Sequence, residues 1–126
     1  MADSIDKGIV SFLQIFHLQM EMSTQAYQQY LQQEQQFLYA KELRRINSIS
    51  IQLLEDNEQR LPATFRKAAQ ALLSHFHQWR NKWDETAQAQ HPHDTSRFAF
   101  ANEHTFPRQA AAILEEAYQQ TINNIT

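Results

Sequence analysis

Apolar residues recur along this chain at alternating intervals of three and four, and the clearest run lies after Pro62: Phe65, Ala69, Leu72, Phe76, Trp79 and Trp83. That interval sets all of them on one face of a helix. Lys67, Ser74, Gln78, Lys82 and Glu85 fall on the opposite face and read as solvated. Pro62 suits a first turn, where its missing N–H costs nothing. The residue before Pro92 is a boundary, because proline disfavours helical geometry in its predecessor. The pattern predicts a helix over about 62–89, roughly 42 Å long at 1.5 Å per residue.

The N-terminal half follows the same rule. Ile5, Ile9, Phe12 and Phe16 form a stripe, widened by Leu13 and Met20 and continued by Tyr27, Tyr30 and Leu31. Leu43, Ile46, Ile49 and Leu53 form the next. Asp3 or Ser4 can cap the start, and Asp6 suits the positive end of the helix dipole. From Ile9 to Leu61 there is neither glycine nor proline, and Gly8 is the only glycine of the chain. Strands, hairpins and phosphate-cradling loops use glycine where the backbone needs positive φ, whereas helices do not. The chain therefore reads as almost wholly helical.

A single helix over 4–60 would be roughly 85 Å long, too long for a compact domain of this size. A turn must form there without glycine or proline. Ser23-Thr24 and Glu34-Gln35-Gln36 both qualify. Glu34 interrupts the apolar stripe, and a break there gives two helices matched in length to the third, as a bundle favours. The reading adopted is helices over about 4–33 and 36–59.

After residue 89, His91-Pro92-His93-Asp94-Thr95-Ser96 has the composition of a loop. Its caps predict a short helical turn near 95–103 carrying Phe98 and Phe100. A last helix is expected over about 107–121, with Ala110, Ile113, Leu114, Ala117 and Tyr118 as its apolar face. The fold expected is all-α: an antiparallel four-helix bundle forming a single domain over 1–126. The glutamine-rich stretch Gln25–Gln36 keeps Ala26, Tyr27, Tyr30 and Leu31 at helical spacing, so it reads as an amphipathic helix with an uncharged polar face rather than a prion-like tract.

Composition narrows the function more than it identifies it. With 42% hydrophobic and 20% charged residues the chain is an ordinary globular one. A net charge of −3 disfavours general nucleic-acid binding, which draws on a basic excess. The absence of cysteine excludes disulfides, thiolate zinc sites and a cysteine nucleophile. No apolar run approaches a membrane span, and the acidic start does not resemble a signal peptide. The expected location is cytoplasmic. The sequon Asn124-Ile125-Thr126 would then go unused.

Three features invite chemical readings. His17 and Glu21 stand at i, i+4, close enough to share an ion, but a ferritin-type di-iron bundle needs Glu-x-x-His pairs on two helices and there are none. His75 and His77, at i, i+2, point about 200° apart on a helix. His91, His93 and Asp94 make a weak alternative metal site, with only His104 nearby to complete it. The polar-edge and polar-loop readings are preferred, so neither a metal nor a cofactor is expected.

Arg97 and His104 are separated by six residues just before the last helix. Their spacing resembles the loose arginine-to-histidine signature of the HEPN superfamily, small helical domains that often dimerise and cleave RNA or act as antitoxin partners. The resemblance implies that Arg97 would hold a scissile phosphate while His104 moves a proton. It covers eight residues, and Phe98 stands where the family commonly has an asparagine. Seven arginines and six histidines in this length give roughly one such match by chance. The signature therefore supplies only the second reading.

Basic residues gather at Lys41, Arg44 and Arg45, then at Arg66, Lys67, Arg80 and Lys82. Arg66 and Arg80 flank the apolar stripe of their helix, where arginine stems commonly lie over a core edge with the head group in water. The wide aromatic stripes suggest apolar surface beyond what a bundle core uses. Tyr and Trp favour interfaces, which makes Phe76, Trp79, Trp83, Tyr27 and Tyr30 the interface candidates and a C2 homodimer the expected assembly. The function expected is a non-catalytic helical-bundle protein–protein interaction module: an adaptor, chaperone, immunity or regulatory subunit. The alternative is a small HEPN-like ribonuclease or toxin–antitoxin component using Arg97 and His104.

Overall fold

A computed structural model describes residues 7–101 and 106–125. Four helices account for most of them: α1 Lys7–Gln32, α2 Phe37–Asn57, α3 Ala63–Gln90 and α4 Arg108–Ile125. Each packs on its neighbour in sequence, and α1 closes the bundle against α4. Among the described residues no helix is long and apolar enough to cross a membrane. The expected capping roles of Asp3, Ser4 and Asp6, and the last residue of the sequon, lie outside the described residues.

The break falls at Glu34, as the interrupted stripe predicts. Glu34 and Gln35 both take left-handed backbone angles, with φ of 61° and 56°. The Gln35 N–H donates to the Tyr30 carbonyl at 2.9 Å, the six-to-one bond of a Schellman helix end. Gln36 starts α2 without a side-chain cap. Its place is taken by backbone from far along the chain. Phe37 N–H donates to the Ser96 carbonyl and Leu38 N–H to the Asp94 carbonyl, each at 2.9 Å. Phe98 N–H in turn donates to the Gln35 carbonyl at 2.8 Å, and Gln36 pairs with Arg97 in an isolated antiparallel bridge. Two of the N–H groups that a helix start leaves unsatisfied are thus met by the connection between α3 and α4.

That connection corrects one expectation. Over its described part, the segment near 95–103 is not a helical turn. A tight turn closes with Ser96 N–H on the His93 carbonyl at 3.0 Å, and the chain then runs without helix from Phe98 to Ala101. Pairing with the α1–α2 corner holds it extended. The last helix is longer than the stripe suggested, reaching Ile125.

At the other corner, a single 3-10 turn over Glu58–Arg60 leads into Leu61 and Pro62. The Arg66 guanidinium donates to the carbonyls of Glu58, Gln59 and Leu61, at 3.3, 3.1 and 3.1 Å, and so ties the turn to α3. Here an arginine read from sequence as a flanking charge serves as a corner brace.

The core has two parts. In one, all four helices meet: Phe12, Leu13, Leu54, Leu72 and Leu114 are almost wholly buried together. In the other, α1, α2 and α3 pack around Phe98, with Ala26, Tyr30, Leu43 and Trp83 as neighbours. Phe98, from the extended connection, fills the place that a fourth helix takes in the first part. A buried polar belt also joins α1 to α2. Gln19 Nε2 donates to the Ile46 carbonyl at 2.7 Å and to Ser50 Oγ at 3.1 Å, and Ser23 Oγ donates to Asn47 Oδ1 at 2.6 Å.

Candidate functional site

The five aromatic interface candidates come together, and four of them are buried or half-buried. Tyr27, Tyr30, Phe76, Trp79 and Trp83 all line one cavity of about 760 Å³ bounded by α1, α2, α3, the extended connection and the start of α4. Tyr30, Phe76 and Trp83 are buried in the core, so none of them presents an outer surface to a partner. Trp79 is half-buried and Tyr27 is 50% exposed. A stripe widened by rings does hold more apolar surface than the core consumes. The structure spends the surplus on a cavity wall.

Sequence order explains this arrangement. Phe98 packs against Trp83 with ring centroids 4.9 Å apart and against Phe37 at 5.1 Å. Phe100 reaches Trp79 at 6.3 Å. The cavity lies beside these contacts, with α1, α2 and the start of α4 closing its other sides. Trp83 Nε1 donates to the Ala40 carbonyl at 3.2 Å, and the Tyr30 hydroxyl donates to the Phe98 carbonyl. Burial, which penalises the phenolate, raises the Tyr30 pKa from its ordinary value.

Arg97 is engaged at a corner of the fold. Its Nε and Nη2 both donate to Gln35 Oε1, at 3.0 and 2.8 Å, on the exposed side of the α1–α2 corner. His104, the other half of the arginine–histidine reading, lies outside the described residues. His91 closes α3 in a left-handed conformation, φ 46°. Asp94 pairs with Lys41 at 2.7 Å, which occupies one of its oxygens. Among the described residues no group of three or more His, Cys, Asp or Glu is placed to hold a metal ion.

His17 has a partner that the sequence pattern does not reveal. Its Nε2 lies 2.8 Å from Glu21 and its Nδ1 lies 2.7 Å from Glu115 on α4, while its ring stacks on Tyr118 at 4.2 Å. The two carboxylates bind opposite edges of the imidazole, so the three groups do not converge on one ion. Both ring nitrogens donate, which favours the imidazolium. The hydrogen bond to Glu115 raises the His17 pKa above 6.5, against burial and with help from the charges of Glu115 and Glu21. For Glu115, burial acts to raise the pKa, but the hydrogen bonds from His17 and Gln119 prevail and hold it below its ordinary value.

The basic residues are mostly engaged within the chain. Arg44 donates twice to Asp84, at 2.8 and 3.0 Å, and its guanidinium lies 5.3 Å over the Trp83 ring. Arg45 pairs with Glu42 at 2.6 Å, and Arg80 Nη1 donates to Ser48 Oγ at 3.3 Å.

The outer side of α1 is different. Ile15, Leu18 and Met22, at helical spacing, are 53%, 58% and 44% exposed. Ser11, Gln14, Gln25 and Gln29 surround them, all exposed and uncharged. Besides His17, the 26 residues of α1 carry only Lys7 and Glu21 as charged side chains, and Glu21 is bonded to His17. Ile49 of α2 is also exposed, but it lines a shallow groove with Lys41, Arg44, Arg45 and Asp84, away from this patch. Sequence spacing assigned Ile49 to a core stripe, but it is 43% exposed.

Comparison with protein-family models, with curated proteins and with solved structures gives no match to this chain.

Proposed function

We propose that this protein is a non-catalytic helical-bundle interaction module of the cytoplasm that pairs with a second copy of itself through the outer face of α1. The observation that carries the reading is the patch of Ile15, Leu18 and Met22 on a helix nearly free of charge. Interface cores are depleted in charged residues and enriched in methionine and aromatics, and an exposed apolar patch rimmed by polar groups is a usual docking site. A two-fold axis through such a patch sets it against itself, so that one stripe serves both protomers. The glutamine and serine rim can hydrogen-bond across the seam without burying an unpaired charge.

Light scattering coupled to size exclusion tests it. The expected result is a dimer mass at micromolar concentration and a monomer mass for Leu18→Glu, with an unchanged helical circular-dichroism spectrum. A monomer mass for the unaltered chain up to millimolar concentration overturns the proposal. So does a dimer that Leu18→Glu leaves intact.

A further inference from the structure

We infer that the cavity between α3 and the extended connection is a binding site for a small planar aromatic anion, an aryl carboxylate or sulfonate. The inference is independent of pairing through α1, since none of Ile15, Leu18 and Met22 lines the cavity. Its volume of about 760 Å³ lies within the range of small-molecule sites, which are mostly apolar with a few polar groups fixing orientation. Tyr27, Tyr30, Trp79 and Trp83 supply flat surfaces that favour a ring system over a flexible chain.

Charge decides the rest. The protein carries a net charge of −3, yet no aspartate or glutamate is among the described lining residues. Among the described lining residues the one guanidinium is that of Arg108, at the exposed first position of α4. A carboxylate or sulfonate can accept two hydrogen bonds from such a group. Asn47, fixed by Ser23 on the opposite helix pair, offers an amide inside the same cavity. Tyr27 and Thr24, both exposed, mark the open side through which a ligand enters.

The chain supplies its own reporter, because its only two tryptophans, Trp79 and Trp83, both line the cavity. Titration with 1-anilinonaphthalene-8-sulfonate is expected to saturate at one probe per chain, with energy transfer from tryptophan to probe. Arg108→Ala is expected to weaken binding roughly tenfold, the loss of one charge-assisted contact. The same variant should leave the neutral analogue N-phenyl-1-naphthylamine unaffected. Thr24→Phe, which fills the open side, should abolish binding of both probes. Circular dichroism confirms that each variant is folded; should Thr24→Phe not fold, Arg108→Ala with the two probes still decides. No saturable binding at millimolar probe overturns the inference. Equal sulfonate affinity in Arg108→Ala removes the anionic specificity and overturns it as well. Binding lost in Leu18→Glu but kept in Thr24→Phe would place the probe on the α1 face, which overturns the cavity site without touching the pairing proposal.

Discussion

Glu34, Gln35 and His91 hold left-handed backbone angles without being glycine. Such a conformation costs a residue with a Cβ roughly 1–2 kcal/mol, and a helix end normally uses glycine to avoid it. Among the described residues Glu34 makes no side-chain bond that would offset the cost. Glu34→Gly is therefore expected to stabilise the fold by about 1 kcal/mol, read as a higher urea midpoint. Gln35→Gly should gain less, since it removes the acceptor of both Arg97 bonds. His17 gives a second residue-scale outcome. A folded pKa raised above 6.5 contributes stability that is complete below that value and is lost as pH rises through the raised one. The lowered pKa of Glu115 contributes above 4.5 and is lost as pH falls through the lowered value. The α1–α4 clamp is thus strongest between about 4.5 and 6.5. Denaturation midpoints should fall from pH 6 to pH 9, and His17→Gln should flatten that limb.

Among the elements, the extended connection has the largest structural consequence for its size. Phe98 is 1% exposed and touches both Phe37 and Trp83. Phe98→Ala is expected to cost about 3–5 kcal/mol. Tryptophan emission should shift to the red, because Trp83 loses its ring neighbour. The helices themselves were largely legible. Phe12, Phe16, Leu72, Phe76 and Leu114 are buried where three-and-four spacing puts them, and Glu34 marked the turn by falling on an apolar stripe. What periodicity does not encode is pairing across the chain. Nothing in His93-Asp94-Thr95-Ser96 announces that its carbonyls will serve the start of α2, because backbone bonds leave no side-chain signature. His17 showed its neighbour Glu21 but not Glu115, whose distance in sequence only topology closes. The aromatic candidates share one cavity wall, a grouping made by Phe98 and Phe100 of the distant connection packing on Trp83 and Trp79.

At the scale of the whole molecule, α1, α2 and α3 run through both core parts. That continuity couples the halves. Leu114→Ala, in the part without tryptophan, is expected to cost about 2–5 kcal/mol. It should move the tryptophan-fluorescence and circular-dichroism transitions by the same amount, as one cooperative unit requires. Separate midpoints would show that the polar belt of Gln19, Ser23, Asn47 and Ser50 divides the protein into independently melting blocks. The backbone cap on α2 adds a constraint in time. A ribosome that has released Gln90 has delivered three helices, yet the amides of Phe37 and Leu38 still await Asp94 and Ser96. Maturation of the nascent chain at that end must trail synthesis by some sixty residues, the separation between Gln35 and Phe98. Until then, the rings of Trp83 and Phe37 stand open to water and to whatever chaperone meets them first.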